Sequence, residues 1–276
     1  MTSDLTGVRS IPDGACDTHM HAFGKEYPKA PTAAFEPPDA PLSAYLKVKR
    51  RLGLSRTVVV QPTHYGSDNS CTLAAIASLG ATARGVAIVD VNVTDDELER
   101  LTQAGIRGLK VQMSPGGVIS WDELPGLAAR AAAHGWFVQI QFDGRQFPDR
   151  EEVLRRLPGR LLIDHTGKFI EPVSVDNKAF RTFLRLIDGG RVWFKIAAPY
   201  ETSKSGPPGY DDVGRLARAL ISHAPERGTW GTNWPHVNYE GPVNEDILLD
   251  RIREWASDEK TLRQILVDTP AEFYGF

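Results

Sequence analysis

Residues Thr229 to Asn238 read TWGTNWPHVN: a short apolar run that breaks into a polar, turn-forming segment. Thr229 to Thr232 reads as a strand, and the Trp234-Pro235 pair stiffens the turn between Asn233 and His236. Seven earlier runs share this character: Ala15–Thr18, Thr57–Gln61, Gly85–Val89, Gly108–Gln112, Trp136–Phe142, Leu161–Asp164 and Val192–Ile196. Short, continuous apolar runs are expected of strands covered on both faces. The segments between them carry helix signals. Thr94 with Glu97, and Ser120 with Glu123, have capping-box spacing. Leu98, Leu101 and Ala104 then fall on one helical face, as do Leu124, Leu127 and Ala131. The same period recurs at Phe180, Phe183, Leu184 and Ile187, and at Val213, Leu216, Ala217 and Leu220. Eight strand–helix alternations predict an α/β fold of the (β/α)8 TIM-type barrel class, occupying residues 1–276 as a single domain.

Size and composition agree with that expectation. The chain has 276 residues, close to the roughly 250 of a typical barrel, and 41% hydrophobic residues to fill it. A net charge of −3 argues against a nucleic-acid partner, which calls for a basic surplus or stripe. Cys16 and Cys71 have neither disulfide-framework nor metal-ligand spacing. The opening MTSDLTGVRSIPDG lacks a basic segment followed by an apolar one, and no apolar run reaches the roughly 20 residues that cross a bilayer. A cytoplasmic protein with no membrane partner is expected, with self-association left open.

In such a barrel the C-terminal strand ends converge on one mouth, where chemistry collects. His19 and His21 close strand one two residues apart, so both imidazoles are expected to face that mouth. Strand six ends in DHTGKF, bringing His165 and Lys168, although Lys168 reads equally well as solvent-exposed. Lys110 and Gln112 end strand four, Gln139 and Gln141 lie on strand five, and Lys195 lies on strand seven. Lysines offer point charges and amides bind hydroxyls, so the set suits a small polar anion. His64 follows strand two and is a further candidate; Asp68 beside it reads as a helix cap or a mouth residue. His134 and His223 fall at helix C-termini and read as surface residues. Two long Pro-rich loops, 24–41 and 199–209, leave strands one and seven on the mouth side; the second carries Tyr200 and Ser203 as binding candidates.

DTHMH, DHTGKF, GTNWPH and the terminal ILVDTPAEFYGF together resemble the amidohydrolase superfamily, in its branch around the 2-pyrone-4,6-dicarboxylate lactonases. Within it, GTNWPH, QFDG (141–144) and WFKIAAPYETS (193–203) are most similar to the galactarolactone isomerases. The resemblance implies an amidohydrolase-like barrel that converts galactaro-1,5-lactone to the 1,4-lactone in D-galacturonate catabolism. It also implies His19, His21, His165, Asn233 and His236 as catalytic residues, with Lys110, Gln112, Gln141, Lys195, Tyr200, Ser203 and His64 binding substrate. Metal-dependent members use strand-one, strand-five and strand-six histidines and a strand-eight aspartate. Three imidazoles would suit zinc, but Gln139 or Gln141 and Asn233 replace two of those ligands, and the branch works without metal. No metal and no other cofactor is expected, and a sugar-acid lactone is the expected partner.

An amide at position 233 cannot take a proton from water at neutral pH. A hydroxyl already inside the substrate, with an effective molarity up to about 10⁵ M or more, then outcompetes solvent. The expectation is therefore intramolecular acyl transfer, with His19, His21 and His165 polarising the carbonyl. A metal-independent lactone hydrolase and a non-catalytic sugar-acid-binding barrel are the alternatives.

Overall fold

The computed structural model describes residues 11–33, 35–113, 117, 119–237 and 239–276. Most of the opening stretch read for a leader, residues 1–10, lies outside these, as does Asn238. Eight strands form: β1 Cys16–Met20, β2 Arg56–Val60, β3 Ala83–Ala87, β4 Ile106–Gln112, β5 Phe137–Gln141, β6 Leu161–Ile163, β7 Val192–Ile196 and β8 Gly228–Trp230. Every expected run is a strand, with ends displaced by at most two residues. Each pairs in parallel with the next, in the order β1 to β8.

The helices are α1 Leu42–Arg51, α2 Ser70–Leu79, α3 Asp95–Gln103, α4 Leu124–Ala133, α5 Phe147–Arg156, α6 Lys178–Asp188, α7 Asp211–His223, α8 Glu245–Ala256, α9 Glu259–Arg263 and α10 Thr269–Tyr274. Thr94 caps α3 by accepting from the Glu97 N–H. Ser120 and Glu123 make reciprocal capping-box bonds one turn ahead of α4. Asp68 accepts from the Ser70 N–H at the start of α2, which settles it as a helix-end residue.

The barrel closes where β8 meets β1. Met20 and Trp234 bridge in parallel, Asn233 N donates to His19 O at 2.8 Å, and His21 N donates to Trp234 O at 2.8 Å. This closure demands a residue without Cβ at 231, where a Cβ would stand 2.6 Å from the His19 backbone nitrogen. Asp17, fully buried, ties the seam by accepting from the backbone of His19 and Thr232 and from the Thr232 and Tyr45 hydroxyls. The end of TWGTN is thereby laid against DTHMH, which puts Asn233 beside the strand-one histidines. Among the described residues no helix is long and apolar enough to cross a membrane.

Candidate active site

At the C-terminal end of the barrel lies a cavity of about 330 Å3, lined by His21, Lys110, Gln112, Gln141, His165 and Asn233, with Lys168, Glu201 and Tyr239 completing its polar wall. Six of the twelve expected site residues therefore face one space. His19 and Lys195 lie beneath it, Tyr200 and His236 stand behind Asn233, and Ser203 and His64 do not reach it.

The floor is a buried ionic knot. Asp164 accepts from Gln139 Nε2 at 2.7 Å, faces His19 Nδ1 at 3.3 Å, and lies 3.9 Å from both His165 Nε2 and Lys195 Nζ. Lys195 also donates to Gln139 Oε1 at 2.9 Å and lies 3.4 Å from His19 Nδ1. Burial alone would raise the Asp164 carboxyl, but His165, His19 and Lys195 outweigh it and hold the group well below its usual range. Burial lowers Lys195 and Lys110 to about 8, against the pull of Asp164. It also lowers His21 and His165 to about 3, so both imidazoles are neutral at physiological pH. His21 Nδ1 pairs with the Val60 carbonyl at 2.7 Å, which leaves the Nε2 lone pair for the cavity. That corrects one expected role: His21 presents an acceptor, not a donor that polarises a carbonyl. His19, expected at the mouth, is 1% exposed and belongs to the floor.

The loop after β6 turns through four successive left-handed residues, with φ of 49° at His165, 57° at Thr166, 85° at Gly167 and 47° at Lys168. Left-handed φ costs non-glycine residues on the order of 1 kcal/mol each. Here it brings His165 and Lys168 to the cavity. Lys168 is thus no bland surface lysine: its side chain is 18% exposed, ion-paired with Glu201, and lowered to about 8 by burial.

Glu201 and Tyr239 are cavity residues that sequence reading missed. No carboxylate stood among the expected site residues, yet Glu201 lines the cavity, paired with Lys168 and accepting from Asn233 Nδ2 at 3.2 Å. Its only sequence signal was a place in the loop that leaves β7. Asn233, at φ 59°, uses a backbone region that asparagine tolerates better than most residues. Ser203 instead donates to Asp212 Oδ1 at 2.5 Å, in a cluster that ties down loop 199–209. His64 Nδ1 pairs with the Phe35 carbonyl at 3.1 Å and lines a neighbouring cavity under loop 24–41. Neither reaches the space that was expected to hold substrate.

His19, Asp164 and His165 offer ligand atoms within 4.8 Å of one another, close enough to converge on one ion. The donor set does not fit a divalent cation. The lysine ammonium lies 3.4 Å from one ligand nitrogen and 3.9 Å from the carboxylate, and the Gln139 amide already holds the other carboxylate oxygen.

The family model described as amidohydrolase matches residues 16–276. The chain belongs to the amidohydrolase family. Among its amidohydrolase relatives is a D-galactarolactone isomerase of Agrobacterium fabrum, 36% identical over 96% of this chain and 92% of the relative. A 2-pyrone-4,6-dicarboxylate hydrolase of Comamonas testosteroni is 35% identical over 96% and 91%. The apo crystal structure of an Agrobacterium tumefaciens protein superposes with a TM-score of 0.91 at 35% identity, covering 97% of this chain and 98% of that one.

Proposed function

We propose that the chain, acting as one barrel domain over residues 1–276, isomerises a sugar-acid lactone, galactaro-1,5-lactone to galactaro-1,4-lactone, without a metal. Two of the relatives named above are a D-galactarolactone isomerase and a 2-pyrone-4,6-dicarboxylate hydrolase, and the cavity matches an anionic, hydroxyl-rich ester. Lys110 and Lys168 supply positive charge for its carboxylate and carbonyl oxygens. Gln112, Gln141 and Asn233 supply amides for its hydroxyls. The reaction balances without water: the 4-hydroxyl attacks C1, its proton passes to the site, and collapse releases the 5-oxygen, which recovers a proton.

The observation that carries this reading is the β8 wall. Its cavity-facing group is an amide, and the Glu201 carboxylate beside it is already engaged by Lys168 and Asn233. The same Glu201 favours one rival. Released from Lys168 by substrate, it would serve as the base of a lactone hydrolase. Proton NMR of galactaro-1,5-lactone with the protein separates the two: the 1,4-lactone is expected, and galactarate as the main product overturns the isomerase reading. Chelator-treated, metal-free protein is expected to keep full activity; loss restored by zinc would overturn metal independence.

A further inference from the structure

Behind the cavity wall, four side chains form an unbroken line from Asn233 to the start of α8. Asn233 Nδ2 donates to the Tyr200 hydroxyl oxygen at 2.9 Å. That hydroxyl lies 2.9 Å from His236 Nδ1. His236 Nε2 lies 3.0 Å from Glu245 Oε1, and Glu245 Oε2 accepts from Arg51 at 2.6 Å. The line has a direction. A carboxylate only accepts, so His236 Nε2 carries the hydrogen. In the Nε2–H tautomer Nδ1 holds the lone pair, and Tyr200 donates into it. The Tyr200 oxygen is left to accept, and it accepts one amide hydrogen of Asn233; the other goes to Glu201 Oε1 at 3.2 Å. Both N–H groups of the amide are spent, and its carbonyl oxygen remains.

We propose that Glu245 is a positioning residue that, through His236 and Tyr200, orients the Asn233 amide so that Oδ1 faces the cavity as the acceptor for a substrate hydroxyl. A flipped amide would set Oδ1 against the Tyr200 lone pairs and the Glu201 carboxylate, and would lose both hydrogen bonds. The ionised Glu245 and the protonated Tyr200 agree with this direction. Burial pushes Glu245 up, but hydrogen bonds from His236 and from its own backbone, with Arg51, hold it at about 2. Burial pushes the Tyr200 phenol well above its ordinary value, so it keeps its proton. This assignment rests on the isomerase reading only in taking the bound hydroxyl to be the attacking one.

The test has two arms on the full chain. Nitrogen-15 NMR of labelled protein should show His236 with Nε2 protonated and Nδ1 bare; a protonated Nδ1 overturns the proposal. The second arm is a cycle of variants read on total lactone consumption. Glu245→Ala should lower kcat about tenfold with little change in KM, the loss expected of one mis-set hydrogen bond. Glu245→Gln, whose carbonyl still accepts from Nε2–H, should recover most of it. In an Asn233→Asp background both oxygens accept, no orientation can be wrong, and the Glu245→Ala penalty should shrink to about twofold or less. An equal penalty in both backgrounds would make Glu245 merely structural and sink the proposal. Absence of any lactone turnover by the unaltered protein would instead defeat the isomerase reading, and the NMR arm would still decide the orientation.

Discussion

The floor of the cavity and its β8 wall are built on opposite principles. The floor takes one carboxylate and one ammonium out of water: Asp164 and Lys195, beside the neutral imidazole of His165 and the buried ring of His19, with Gln139 bridging carboxylate and ammonium. The wall presents a neutral amide, with its nearest anion on Glu201 and its orientation taken from Tyr200. Charge in the floor is mutually dependent, so removing one member strands the rest. Direction in the wall is passed along hydrogen bonds, so removing one member leaves a sound fold with a misaimed group. Variants in the two regions should therefore fail in different ways.

The largest effect belongs to the floor. Asp164→Asn leaves Lys195 buried without its anion and should cost about 3 kcal/mol of stability in urea unfolding, with activity lost. Because the folded carboxyl sits below its ordinary value of 3.8, its contribution is complete above that pH. The gap between the two proteins should thus narrow as pH falls through the lower, folded value. A gap unchanged down to pH 2 would show that Asp164 carries no charge in the fold.

Next in size is the cation pair that faces the cavity. Lys110→Met should lower kcat/KM about 100-fold if its ammonium steadies the developing oxyanion. Lys110 and Lys168 both sit at about 8, so their charge is present below that pH and lost above it. The pH–rate profile should accordingly decline as pH rises through about 8. A flat profile to pH 9 would remove the lysines from the reaction.

The wall comes third. Tyr200→Phe should lower kcat about tenfold while leaving the unfolding free energy within about 1 kcal/mol of the parent. A collapse in stability instead would place Tyr200 with the floor and erase the contrast. Smallest of all, His64→Gln should change kcat/KM less than about twofold, because its ring serves the Phe35 carbonyl outside the substrate space.

The barrel was legible because its cause is local. Eight buried runs and the helix periods between them are written consecutively, and capping pairs such as Thr94–Glu97 act within one turn. Of the site, strand-end residues such as Lys110 and Gln141 were legible, since the strand direction carries them to the mouth. Depth was not. His19 and His21 share a strand face, yet His19 is buried against Asp164 and only His21 of the two lines the cavity. Loop residues were hardest. Glu201 depends on the path of the chain after β7, and Ser203 turns to Asp212, nine residues on, a loop closure that no periodicity announces. Lys168 reached the cavity through a left-handed run that DHTGKF signals by its glycine alone.

The most direct trial of the account runs the reaction in water enriched in oxygen-18 and weighs the lactone product by mass spectrometry. If the sugar's own hydroxyl attacks, the 1,4-lactone forms with no label at C1. Incorporation of one labelled oxygen at that carbon, as hydrolysis and reclosure would require, contradicts intramolecular transfer and returns Glu201 to the role of base.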